Sequence, residues 1–394
     1  MKTVNIKATQ GVRNDVPPER FKSGDLVNGV NIDIDETGKT SRRKGLRKVL
    51  DGSDAHSLWG NDARALYVDS GTLYGVSKDF VKTTLIAGLS VGRRMSYVEA
   101  AQRIYLSNGV DAFVLNGATA SRLGVAVPPM ISAATTYGEL PAGTYGYTMT
   151  FVRANGQESG APPCAYSVVP ANGGLSFTNL PVSNDPDVTG KNLYITPANG
   201  EIPYLVATFT NAMTTASYSA STHGSLPCVT QFKGPLPPGS ILGYYNGRLY
   251  SSSGNVIYYS DPYNYELTTL DENFLQFDAR VTIIAPVSDG VFVGSDSETI
   301  FLKGGDPSEF ERVQVSPEAS VFGTLTYTNP RFITDKGVQG VTPMWATERG
   351  ICFGGSGGQF VELTSDRYVL PDVASGSSLY RLQSGTSQFL TVFN

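Results

Sequence analysis

Histidine is almost missing from this chain. His56 and His223 are the two in 394 residues, and neither stands in a metal-ligand or catalytic spacing. Both read as turn or surface residues. Cysteine is scarce as well: Cys164, Cys228 and Cys352 show no CxxC spacing and leave one over in any pairing. That fits reduced thiols in β-structure better than a disulfide framework. Charged residues make up 16% of the chain, against about 25% in ordinary domains, and the net charge is only −5. Charge-driven disorder is thereby excluded, and so is broad nucleic-acid affinity, while a local basic patch stays open. No run approaches the roughly 18 apolar residues of a membrane span. The start of the chain, Met1 to Lys7, has no apolar core of the signal-peptide kind. The expectation is a protein made in a cytoplasm and not exported by the usual route.

What the chain has in excess is turn-formers and aromatics. There are 43 Gly, 23 Pro, 21 Tyr and 18 Phe. Helical bundles and coiled coils need long runs free of Gly and Pro, so they are excluded. An all-β fold remains, with length enough for two domains.

The dominant pattern is a repeated hairpin of short alternating strands and Gly- or Asn-containing turns. The clearest copy runs from Ile241 to Tyr259 and turns at Asn246-Gly247, a pair that tolerates positive φ at both positions. Further copies span Leu58 to Val76, Ser96 to Leu115, Val287 to Leu302 and Met344 to Leu363, with a degenerate one from Ser378 to Phe393. Within the second of these, residues 97–104 read as strand-turn-strand rather than a helical turn. Spacings of roughly 40–50 residues are those of β-propeller blades. Pro128-Pro129 and the Gly234 to Gly239 run (GPLPPG) bracket a stretch where the repeat is absent. There Tyr145, Tyr147, Met149 and Phe151 alternate on one face, and about seven short strands in roughly 100 residues describe a β-sandwich. The reading is therefore an all-β chain: a propeller of about six blades (residues 1–127 and 236–394) with an Ig/fibronectin-III-like sandwich inserted at 128–235. The segment Val30 to Val49 is expected to add a strand pair near the C-terminal blade and so close the ring.

Catalytic and metal motifs are weak. Gly354 to Gly358 (GGSGG) matches G-x-S-x-G, but residues 359–363 read as a strand, where a nucleophile elbow needs a helix. Asn31 to Gly38 has the alternating oxygens of a calcium loop but lacks its later Glu, position 42 being Arg. Asp271-Glu272 is a carboxylate pair that nothing singles out for glycosidase chemistry. No catalytic residue, metal or cofactor is assigned, and a non-enzymatic role is expected. One charge feature stands out. Lys39, Arg42, Arg43, Lys44, Arg47 and Lys48 fall within ten residues that hold no acid. It reads either as a solvated β-edge or as a contact to phosphate or to an acidic partner subunit.

The runs ILGYYNGRLYSSSGNVIYYSDP (from Ile241) and FLQFDARVTIIAPVSDGVFVGSDSETIFLKG (from Phe274), with NIDIDETGKTSRRKGLRK (from Asn31), resemble the tail nozzle proteins of short-tailed bacteriophages. The middle segment resembles fibronectin-III or Ig-like modules of phage structural proteins, through AGTYGYTMTFVRANGQESGAPP and GKNLYITPANGEIPYLVA. The resemblance implies a virion tail component made in the host bacterial cytoplasm. It implies a ring of identical subunits, a hexamer, around a channel that retains and then conducts the phage genome during ejection. Partners would be the tail adaptor and portal proteins, tail fibres or spikes and, transiently, phage DNA. It carries over no catalytic residue. The alternative is a receptor- or glycan-binding tail protein, suggested by the tyrosines and the insert.

Overall fold

The computed structural model describes residues 8–35, 37–220, 224–328, 341–370, 373–383 and 386–394. Among these there is no α-helix, only strands, turns and short 3₁₀ segments. The hairpin repeat resolves into five four-stranded antiparallel meanders. The first blade comprises Ala55–Gly60, Ala65–Asp69, Thr72–Val76 and Lys82–Ile86. The second comprises Ser96–Ala100, Arg103–Ser107, Ala112–Asn116 and Thr119–Arg122. The third uses Ile241–Tyr245, Arg248–Ser253, Val256–Tyr259 and Phe274–Gln276. Val281–Val287, Gly290–Ser295, Thr299–Lys303 and Glu311–Ser316 make the fourth. Thr326–Thr328, Thr342–Thr347, Gly350–Gly354 and Phe360–Glu362 make the fifth. A sixth element, Gly376–Gln383 paired with Thr386–Phe393, has two strands among the described residues.

The turn chemistry sets these registers. Asn246 and Gly247 adopt φ of 44° and 76° and close Tyr245 against Arg248. This is the primed turn whose twist matches the flanking strands. A Cβ on Gly247 would stand 2.9 Å from the Tyr263 ring. Gly247→Ala is therefore expected to cost about 1–2 kcal/mol from the left-handed backbone alone, read as a lower urea midpoint with unchanged slope. Ala101 and Gln102 also take positive φ, 48° and 62°, and turn Ser96–Ala100 into Arg103–Ser107. The strand-turn-strand reading of that stretch holds.

Packing between successive blades supplies the core. Leu66, Val68 and Leu73 of the first meet Ile104, Leu106 and Leu115 of the second. Tyr105 and Val114 of the second meet Leu242 and Leu249 of the third. Tyr250 and Ile257 of the third meet Ile284, Val291 and Val293 of the fourth. Ile283, Phe292 and Phe301 of the fourth enclose Trp345 and Cys352 of the fifth. Each such side chain contributes about 1.5–3 kcal/mol on burial. This sequential burial of one meander against the next is the propeller architecture. Arg94, between the first and second blades, donates to the carbonyls of Gly323 and Gly376 beside the fifth blade and the terminal hairpin. Burial lowers its pKa.

One expectation about the ends needs correction, that residues 30–49 close the ring. The pair within residues 30–49 forms, as Ile32–Ile34 with Thr40–Arg42, but it is a sheet of its own. It adds no strand to the terminal hairpin among the described residues. The physical reason lies at its root: Thr9 N–H donates to Gly38 O, and Asn14 N–H to Arg367 O. These bonds tie the segment to the chain leaving the fifth blade.

The insert is a two-layer sandwich. One sheet runs Ala133–Leu140, Gly173–Phe177, Ala216–Tyr218; the other runs Ala165–Val169, Gly143–Arg153, Val188–Ile195, Tyr204–Thr210. Tyr145, Tyr147, Met149 and Phe151 all point into one shared core with Leu175, Phe177 and Leu193. The opposite face of Gly143–Arg153 is covered too. Thr148 donates to Pro162 O, and Thr150 to the Glu158 carboxylate, which also accepts from Asn192 and Tyr194.

Candidate functional site

The basic segment stands clear of the body. Lys39, Arg42, Arg43, Lys44, Arg47 and Lys48 are all exposed, and so is every residue between them. Thr40–Arg42 is a strand, Arg43 N–H donates to Asn31 O, and from Lys44 to Val49 the chain has no regular structure. Its one ion pair among the described residues is Lys48 with Asp51, at 2.5 Å and fully in solvent. Such a pair contributes little. Leu46, at 82% exposure, and Val49 are bare as well. A solvated β-edge of the ordinary kind mixes charges of both signs and hides its leucines; this segment does neither.

The root of this arm is held. Asp25 is almost wholly buried in its side chain and accepts from Arg367, Arg13 and the Lys22 N–H. The Lys22 N–H first, then Arg367 and Arg13, hold its carboxyl below the usual carboxylate range. A carboxylate with a lowered folded pKa stabilises above its unfolded value of about 3.9 and loses that contribution as pH falls through the folded one. Limited proteolysis is expected to release the arm in acid, and to release it at neutral pH in Asp25→Asn.

The other sequence candidates take structural places. Ser356 lies in a 3₁₀ turn between Gly350–Gly354 and Phe360–Glu362, with Gly357 and Gly358 at positive φ. Gly357 N–H donates to Asp289 of the fourth blade. Asp35 spends one carboxylate oxygen on the Thr37 N–H and hydroxyl and on the Lys39 N–H, and the Thr37 hydroxyl leads in lowering its pKa. Glu36 of that loop lies outside the described residues. Asp271 and Glu272 are exposed in a turn. His56 contacts the Ser57 hydroxyl within the first blade, and His223 lies outside the described residues. The three cysteines are free thiols. Among the described residues no group of three or more His, Cys, Asp or Glu could hold a metal, and no helix is long and apolar enough to cross a membrane.

Sequence reasoning missed a buried ion cluster where the sandwich meets the propeller. Arg153 ends a sandwich strand and is 3% exposed. Its guanidinium donates to Asp185 (2.7 Å), Gln157 (2.7 Å) and the carbonyls of Arg122 and Gly124 (3.0 and 3.1 Å). Glu266, 6% exposed, lies 3.6 Å from Arg153 and 3.7 Å from Arg103. Burial raises its pKa against the pull of those two cations. Above the cluster opens a cleft of about 380 Å³, walled by Asn116 and Ser121 of the second blade and by Asn155 and Thr189 of the sandwich. The chain passes out to the insert and back side by side here, where Gly124 (φ 74°) leaves no room for a Cβ against Pro235.

No family model matches the chain. No curated protein matches it either. Its neighbours among solved structures are distant propeller-containing proteins. BBS1N, in a complex with ARL6DN, is 11% identical, with a TM-score of 0.34 over 87% of this chain and 90% of that one. The N-terminal domain of Nup159 is 11% identical, with a TM-score of 0.31 over 86% and 73%. Hsv2 of Kluyveromyces lactis is 10% identical, with a TM-score of 0.27 over 90% and 87%. The architecture stands on the chain's own sheet order and packing.

Proposed function

We infer that this chain is a structural virion tail protein of nozzle type, whose copies form a ring around a channel for phage DNA. The observation that carries the reading is the bare cationic arm on an otherwise acidic scaffold. The first 50 residues hold eleven basic against six acidic side chains, and the remainder holds nineteen against twenty-nine. An acidic wall repels the phosphate backbone and lets a duplex slide without sticking, whereas a basic wall would trap it. Blades packed one against the next through apolar cores suit a part that bears internal genome pressure. Tail adaptor and portal proteins above the ring, and fibres or spikes beside it, are the partners of this reading.

Antibody against the chain should decorate the tails of purified short-tailed virions, and particles lacking the chain should package DNA but fail to retain or deliver it. Virions without label, or deletion particles of full infectivity, would contradict the reading. One feature favours a second reading, glycan binding by the insert: Tyr137 and Tyr166 are 95% and 62% exposed on the sandwich, and bare aromatic faces stack on apolar sugar faces. Glycan-array binding lost in Tyr137→Ala/Tyr166→Ala would favour it.

A further inference from the structure

We propose that the basic arm of one copy docks along the acidic outer edge of the third and fourth blades of a second copy. This deepens the ring reading and rests on it. Residues 261–318 hold twelve acidic and three basic side chains, the reverse of the arm. Several of these acids are already engaged: Asp261 with Lys233, Asp296 with Arg280, Asp306 with Arg248, Glu318 with Arg349. Asp271, Glu272, Asp278 and Glu309 are exposed and have no cation within ion-pair distance among the described residues. Glu311 meets only Lys303, at 3.5 Å in open solvent.

These acids flank two neighbouring sheet edges. Among the described residues, Glu311–Ser316 pairs only with Thr299–Lys303, and Phe274–Gln276 only with Val256–Tyr259. Arg312 donates to Gln276 O and lies over the Phe277 ring, which sets the two edges side by side. Phe274 and Val313 are partly bare on them. An open edge strand is a template for another chain's extended segment. The arm can supply one: a strand at Thr40–Arg42 followed by exposed chain free of regular structure, six cations, and Leu46 and Val49 to cover Phe274 and Val313. The arm does not reach this edge in its own chain, because its root is fixed beside Arg367 and Val369, past the fifth blade. A contact from one patch to a different patch is head-to-tail, the type that generates rings.

The test uses the full chain and two charge-reversed variants, followed by sedimentation velocity at low salt. One variant is Arg42→Glu/Arg43→Glu/Lys44→Glu in the arm. The other is Asp271→Lys/Glu272→Lys/Asp278→Lys/Glu309→Lys on the edge. All seven side chains are exposed, so melting curves should match the parent and serve as the folding control. The parent should self-associate at low salt and dissociate toward 1 M, where screening reaches about 3 Å. Each variant alone should need more than about tenfold higher concentration to assemble. An equal mixture of the two should recover assembly, since in an alternating ring the three reversed arm positions meet the four reversed edge positions with opposite sign, and parent arms meet parent edges at the alternate contacts. An arm variant that assembles like the parent, or a mixture that does not recover, overturns the arm–edge contact and leaves the ring reading standing. Normal assembly with loss of duplex oligonucleotide binding assigns the arm to DNA instead and likewise overturns it. A parent that never self-associates contradicts the ring reading itself.

Discussion

Arg153→Met is expected to destabilise the protein by about 3–5 kcal/mol, the usual cost of breaking a buried ion pair from one side. The substitution keeps most of the aliphatic stem and removes the charge. Asp185 and Glu266 are then left in the junction without the guanidinium that faces both. The carbonyls of Arg122 and Gly124 lose their donor as well. Glu266 turns this into a signed expectation. Burial already raises its pKa, and losing Arg153 removes a term that lowers it. A carboxyl whose folded pKa lies above its unfolded one destabilises at high pH, and stability recovers as pH falls through the folded value. The variant should therefore be relatively more stable at pH 5 than at pH 8. Arg153→Met/Glu266→Gln should recover part of the loss, which urea midpoints across a double-mutant cycle would read. Additive losses with no pH dependence would mean that the cluster does not bind the sandwich to the propeller.

Trp345→Ala is expected to cost about 3–5 kcal/mol through cavity formation. Trp345 is fully buried between the fourth and fifth blades, with Phe292 at 5.7 Å and Phe360 at 5.9 Å between ring centroids. Its indole Nε1 has no hydrogen-bond partner among the described residues. Trp345→Phe keeps most of the volume and removes that unpaired donor, so its cost should be much smaller. Thermal melts of the two variants separate packing from polarity. If the alanine variant melts like the parent, the fourth and fifth blades do not share the interface described.

The contrast between these sites shows what the sequence made legible. Local turn chemistry was readable: Asn246-Gly247 announces its own geometry. The insert was also readable, because Tyr145, Tyr147, Met149 and Phe151 alternate and Pro-rich runs bracket them. The Ala101-Gln102 turn carries no such signal; the flanking strands impose its positive φ. The Arg153–Glu266 cluster was invisible, since its members lie far apart along the chain and each looks like an ordinary surface charge. The two ends were half legible: residues 378–393 read as a degenerate blade and residues 30–49 as a strand pair near it, but no pattern showed that this pair would be a sheet of its own or what would hold it. That depended on Asp25 and Arg367, again distant in sequence. The cationic arm was found by charge alone, and its exposure and missing partners came from the structure.

The central claim is that this propeller works as one subunit of a ring. Electron microscopy of the purified full-length chain, at micromolar concentration and low ionic strength, tests it most directly. Closed rings of uniform size with an open centre are expected, lost in the arm-reversed variant. Single particles of one chain at every concentration and salt would contradict it.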